Sequence, residues 1–126
     1  MAANKIVRFG PVALTTTLTT NILNPPTTTG GTGVPATSTA TYFVVKHIRI
    51  VNVTAAPATF TMAIGATAVV ATSANAFMGF GTSVPANSFV DWYGQLRLDT
   101  ADFLVGGSGT TTALTFEAEG EMGIAG

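Results

Sequence analysis

Tyr42-Phe43-Val44-Val45-Lys46-His47-Ile48-Arg49-Ile50-Val51-Asn52-Val53-Thr54 runs into Ala55-Ala56-Pro57 and then Ala58-Thr59-Phe60-Thr61-Met62-Ala63-Ile64. Two runs rich in β-branched and aromatic residues flank a break of small residues and proline, which is the layout of a β-hairpin. In the second run Phe60, Met62 and Ile64 fall on one face and Thr59 and Thr61 on the other, the period of two of a strand with one buried side. In the first run Val44, Ile48 and Ile50 share a face, while His47 and Arg49 share the opposite one. The first set is expected to be core. His47 and Arg49, with Lys46 beside them, are expected to be an exposed contact surface. Asn52 is expected to end its strand and to bond the backbone of the hairpin.

Outward from this stretch the same alternation recurs. Lys5-Ile6-Val7-Arg8-Phe9 stops at Gly10-Pro11 and reads as a short strand or an arm. Over residues 12–22 the even positions are Val12, Leu14, Thr16, Leu18, Thr20 and Ile22, which predicts a strand with its even face inward. Residues 24–41 hold Pro25-Pro26, Thr27-Thr28-Thr29, Gly30-Gly31-Thr32-Gly33 and Pro35, with no hydrophobic period. Such a segment is expected to be an extended arm or a loop.

On the other side, Ala68-Val69-Val70-Ala71 reads as a weak strand and Phe77-Met78-Gly79-Phe80-Gly81 as an edge or bulged one. Phe89-Val90-Asp91-Trp92-Tyr93, Gln95-Leu96-Arg97-Leu98 and Phe103-Leu104-Val105 follow. A glycine loop at Gly106-Gly107-Ser108-Gly109 then precedes a last strand in which Leu114, Phe116 and Ala118 alternate with Thr115, Glu117 and Glu119. About eight short strands with turn signals every ~8–12 residues, and no helical period, predict an all-β antiparallel sandwich, jelly-roll-like, with an extended N-terminal arm. The expected organisation is one domain: an N-terminal strand and Thr/Pro/Gly-rich arm over 1–41, a sandwich core over 42–120 and a tail over 121–126.

Charge is the unusual feature. Only 9% of residues are Asp, Glu, Lys or Arg and the formal net charge is −1, against about 25% charged residues in an ordinary domain. A surface this poor in charge has little to keep identical copies apart, and the 23 threonines supply its polarity through hydroxyls instead. There is no basic footprint for nucleic acid and no polybasic patch for a membrane. No run of ~18 apolar residues predicts a membrane-spanning helix, and no apolar signal core is read near residue 1. Without cysteine there is neither a disulfide framework nor a thiolate metal site.

Chemistry finds few candidates. His47 is the sole histidine, and no Gly-x-Ser-x-Gly turn accompanies it. Glu117, Glu119 and Glu121 recur every second residue and would line one face of the last strand. Such a stripe could hold a cation through oxygen ligands, but it is read as a solvated face, or as pairing across strands with Arg49 or Arg97. Asp91, Asp99 and Asp102 could be paired acids of a glycosidase, yet Asp99 and Asp102 flank a tight turn that they would cap. Trp92 and Tyr93, next to Phe89 and Asp91, are a candidate aromatic contact for a sugar ring, with core packing as the competing use. The glycine-rich segments have no lysine or following helix and cradle no phosphate. Asn52-Val53-Thr54 fits the glycosylation sequon by chance. No catalytic residue, metal or cofactor is expected.

Several of these features together resemble the small β-sandwich virion proteins of tailed bacteriophages, of the head-decoration or minor-tail type. They are the strand that ends in Asn52-x-Thr54 before a short hairpin (Ile48 to Thr61), the Val84-Pro85-Ala86-Asn87-Ser88 turn, the Leu96-x-Leu98-Asp99-x-Ala101-Asp102 turn, and the closing Leu114-Thr115-Phe116-Glu117-Ala118-Glu119-Gly120. The similarity spans residues 42–120 and departs at Thr100-Ala101, where many such proteins have glycine. It implies a non-enzymatic virion protein that binds and stiffens an assembled head, in contact with the major capsid protein or other virion subunits. It also implies a homo-oligomer, a trimer by preference, located in the virion. The alternatives carried from the residues are a tail or tail-tip component and a carbohydrate-binding module.

Overall fold

A computed structural model describes residues 5–24, 40–99, 101–110 and 112–124. They form eight strands: β1 (Lys5–Ala13), β2 (Asn21–Leu23), β3 (Ala40–Asn52), β4 (Ala58–Gly65), β5 (Ala76–Val84), β6 (Phe89–Asp99), β7 (Phe103–Ser108) and β8 (Leu114–Ile124). There is no helix among the described residues. One sheet has the order β1-β8-β3-β6, the other β2-β7-β4-β5, and every pairing is antiparallel. This interleaving of early and late strands in two four-stranded sheets is a jelly roll, as the strand pattern predicts.

The 42–64 stretch does not form a hairpin. Its two runs, β3 and β4, lie in opposite sheets and face one another across the core. β3 pairs with β8 and β6, and β4 with β7 and β5, so each is an interior strand flanked on both sides. Period-two alternation reports one buried face but is silent on which strand lies alongside. Buried Asn52 turns the chain from one sheet to the other. Its Nδ2 donates to the carbonyls of Ala56 (2.8 Å) and Val84 (3.1 Å), and its Oδ1 accepts from the Thr54 N–H (2.9 Å) and hydroxyl (2.7 Å). Among the described strands, the only consecutive ones that pair are β4 and β5.

β3 also switches faces part-way. A register shift between Val45 and His47 interrupts both of its ladders at Lys46. Before the shift Phe43 and Val45 point inward; after it Ile48 and Ile50 do, all four fully buried. Val44 therefore lies on the outer side, not with Ile48 and Ile50. Phe60 and Met62 of β4, Leu98 of β6, Leu104 of β7, and Leu114, Phe116 and Met122 of β8 complete the core.

Five other expectations change. β1 runs through Gly10-Pro11 to Ala13, with a shift in register between Phe9 and Val12 and with Gly10 at φ +86°, a value that glycine adopts without strain. Residues 14–20 form no strand. The Thr15 and Thr20 hydroxyls bond each other (2.8 Å) and Thr20 Oγ1 bonds the Thr17 carbonyl (2.7 Å), the local bonding by which threonine competes with a ladder. The 68–71 run belongs to the β4–β5 connection, whereas the 89–93 and 95–98 runs are one strand. Gly106, Gly107 and Ser108 are buried in β7 rather than looped out. A Cβ on Gly107 would sit 2.5 Å from the Thr15 carbonyl, and one on Gly106 would collide with the Thr61 carbonyl.

The sandwich thus includes 5–24 and reaches Ile124, so divisions at 41/42 and 120/121 do not mark its edges. Of the segment at 24–41 expected as an arm or loop, residues 25–39 lie outside the described residues.

Candidate functional site

The solvent side of the β1-β8-β3-β6 sheet gathers the charge. Every Asp, Glu, Lys and Arg of the chain lies in β1, β3, β6 or β8 except Asp102, in the turn after β6. β2, β4, β5 and β7 carry none.

Register explains the grouping. His47 lies opposite Tyr93 on β6 and Glu119 on β8, and Arg49 lies opposite Asp91 and Glu117. Asp91 accepts two bonds from Arg49, Nε to Oδ1 at 2.8 Å and Nη2 to Oδ2 at 3.0 Å. His47 Nε2 lies 2.9 Å from Asp91 Oδ1 and its Nδ1 3.3 Å from Glu119 Oε1. The His47 ring stacks on Tyr93 with centroids 4.7 Å apart, and the Arg49 guanidinium rests over Phe89 at 4.4 Å. Two further pairs border the group: Lys46 with Glu121, and Arg97 with Asp99 at 2.9 Å.

These contacts set the protonation states. The Arg49 bonds, and then those from His47, hold the Asp91 carboxyl down to about 2. Burial alone would lower His47, but the hydrogen bonds to Asp91 and Glu119 outweigh it and raise it above the ordinary imidazole value. Glu117 is pushed up by burial, and further by adjacent Glu119. Its Oε1 is buried and has no hydrogen-bond partner among the described residues.

His47 is only 16% exposed and Arg49 41%, so the expected open contact patch is a bonded network with partly covered members. The Glu stripe pairs through Lys46 and His47, while Arg49 bonds Asp91. The aromatic pair is split between faces. Trp92 packs against the core and meets Phe77 edge-on at 5.2 Å, whereas Tyr93 lies outside, stacked on His47. Asp91, already bonded by Arg49 and His47, is not an open acceptor for sugar hydroxyls. Held at about 2, it also makes a poor general acid at neutral pH. Asp99 and Asp102 cap their own turn: the Asp99 N–H donates to Asp102 Oδ2 (3.0 Å) and the Asp102 N–H to the Asp99 carbonyl (2.9 Å).

Asp91 as the partner of His47 and Arg49 is the residue that sequence reasoning missed. The signal available was its parity with Phe89 and Tyr93 on an outward face. The pairing of β6 with β3 that makes it a partner has no trace in local pattern.

The opposite sheet is different in kind. Outside it, Leu18, Thr61, Val70 and Phe80 line an apolar depression of about 350 Å³, with Phe80 60% exposed. No protein-family model matches the chain, and no curated protein matches its sequence.

Proposed function

We propose that this chain is a non-enzymatic structural protein of a virion that binds and stabilises the assembled head as a decoration subunit. The observation that carries the reading is the division of charge: one sheet holds all the strand charges, and the other presents a charge-free face with exposed Leu18, Val70 and Phe80. Apolar exposure without charge is costly in water and marks a surface that another protein covers. The jelly roll adds fold-level analogy, since capsid domains are among its common uses. On this reading the β2-β7-β4-β5 face lies against the major capsid protein or another virion subunit. The charged face looks outward and supplies solubility. The resemblance implies a closed homo-oligomer, a trimer, in which one patch serves every equivalent contact. Binding only the assembled lattice would stabilise it by mass action.

The test is to add purified chain to heads that lack it and to isolated tails. Saturable binding to heads, with a raised disruption temperature, is expected. Binding to tails alone would move the protein to the tail and overturn decoration.

A further inference from the structure

His47, Glu117 and Glu119 stand together on the charged face, each offering one ligand atom, and the three atoms lie within 4.8 Å of one another. They come from adjacent interior strands, β3 and β8, so the rigid ladder and not a loop sets their spacing.

Three observations point to a ligand between them. His47 Nδ1 and Glu119 Oε1 are 3.3 Å apart, close to the ~3.3 Å that two ligands about 2.0–2.1 Å from a tetrahedral Zn²⁺ must keep. His47 Nε2 is tied to Asp91, itself gripped at both oxygens by Arg49. A carboxylate on one imidazole nitrogen fixes the proton there and leaves the other nitrogen as a lone pair for a metal. Nδ1 lies against Glu119 Oε1; a proton bridges the two atoms in the metal-free chain, and a cation would take its place. The third observation is the buried Glu117 Oε1, which no donor among the described residues satisfies; a buried acceptor left without a partner is costly. Beside the cluster a cleft of about 230 Å³, lined by Ile6, Lys46, His47, Glu119, Gly120 and Glu121, opens to solvent and gives an ion a way in.

We propose that His47 Nδ1, Glu117 and Glu119 bind a divalent transition-metal ion, best matched by Zn²⁺, with a further coordination position open to the cleft. Three protein ligands of mixed nitrogen and oxygen type suit Zn²⁺. Ca²⁺ requires about 6–8 oxygen ligands, which this set does not approach. The site does not depend on what the opposite sheet binds.

The test is calorimetric titration of the full chain, stripped with a chelator, with ZnCl₂ at neutral pH. One Zn²⁺ per chain is expected. Glu117→Gln and Glu119→Gln, both near-isosteric, should each weaken binding by at least about tenfold with an unchanged circular dichroism spectrum. Ca²⁺ and Mg²⁺ should give no saturable heat. Because His47 is the only histidine, its imidazole ¹⁵N resonances give a readout that needs no variant: Zn²⁺ should shift Nδ1 and leave Nε2 protonated. No saturable uptake, uptake indifferent to both glutamine variants, or ligation through Nε2 would overturn the proposal.

Discussion

At His47, two carboxylates outweigh burial, and this fixes the sign of the chain's response to pH. A raised folded-state pKa means the imidazolium form is favoured by folding. Its contribution is complete below the unfolded value of about 6.5 and is lost as pH rises through the higher folded value. Asp91 works in the opposite direction. Lowered to about 2, it contributes fully above its unfolded value of ~3.9 and fades as pH falls through the folded one. Thermal melts in chelator across the pH range should therefore be highest between about 4 and 6.5. His47→Gln should flatten the alkaline limb and leave most of the acid one, which the Arg49 bonds to Asp91 dominate. Unchanged limbs in that variant would show the network to be without effect on stability. Glu117 has a raised pKa, so its ionised form opposes folding at neutral pH. Glu117→Gln should raise the metal-free melting temperature by about 2–5 °C, since the new amide can donate to Glu119. A fall in melting temperature would mean that the carboxylate has a favourable partner. At this scale the sequence discloses the Glu stripe and the single histidine. It does not disclose the Asp91 contact, which joins residues 44 positions apart through sheet pairing alone.

Among the elements, β3 shows how one residue redirects a strand. Strict alternation puts Val44 with Ile48 and Ile50, but the shift at Lys46 turns Phe43 and Val45 inward in its place. A bulge of this kind reverses every side chain on one side of it. No residue type in Val45-Lys46-His47 announces it. Phe43→Ala should thus cost about 3–5 kcal/mol, as a buried aromatic lost to a cavity, while Val44→Ala should cost below ~1 kcal/mol. Urea unfolding of the two variants measures this directly, and the reverse ranking would remove the bulge from the account. In β4 the alternation is faithful at Phe60 and Met62, and both are core. The glycines of β7 read as loop for a related reason. Glycine is a turn signal in sequence, yet here it admits the close approach of Thr15 and Thr61, which is visible only once the neighbours are known.

Over the whole molecule, composition foretells low charge but not its segregation. With β1, β3, β6 and β8 interleaved in one sheet, charges scattered from Arg8 to Glu121 converge on one side, and the other is left to Thr, Gly, Ala and a few exposed apolar side chains. That two-sidedness underlies the proposal that the β2-β7-β4-β5 face is covered by the head lattice. A single charge placed there should therefore matter more than any change on the already charged face. Phe80 is exposed, on the edge strand of its sheet, and can be replaced without disturbing the core. The most direct measurement is the binding isotherm of purified chain on heads that lack it, run in parallel for the native sequence and Phe80→Asp. The native chain should bind saturably, and Phe80→Asp, with an unchanged melting temperature, should bind at least about tenfold more weakly, as expected for an anchor at an interface centre. Equal binding by both, or no binding to heads by either, would contradict the assignment of that face and of its role.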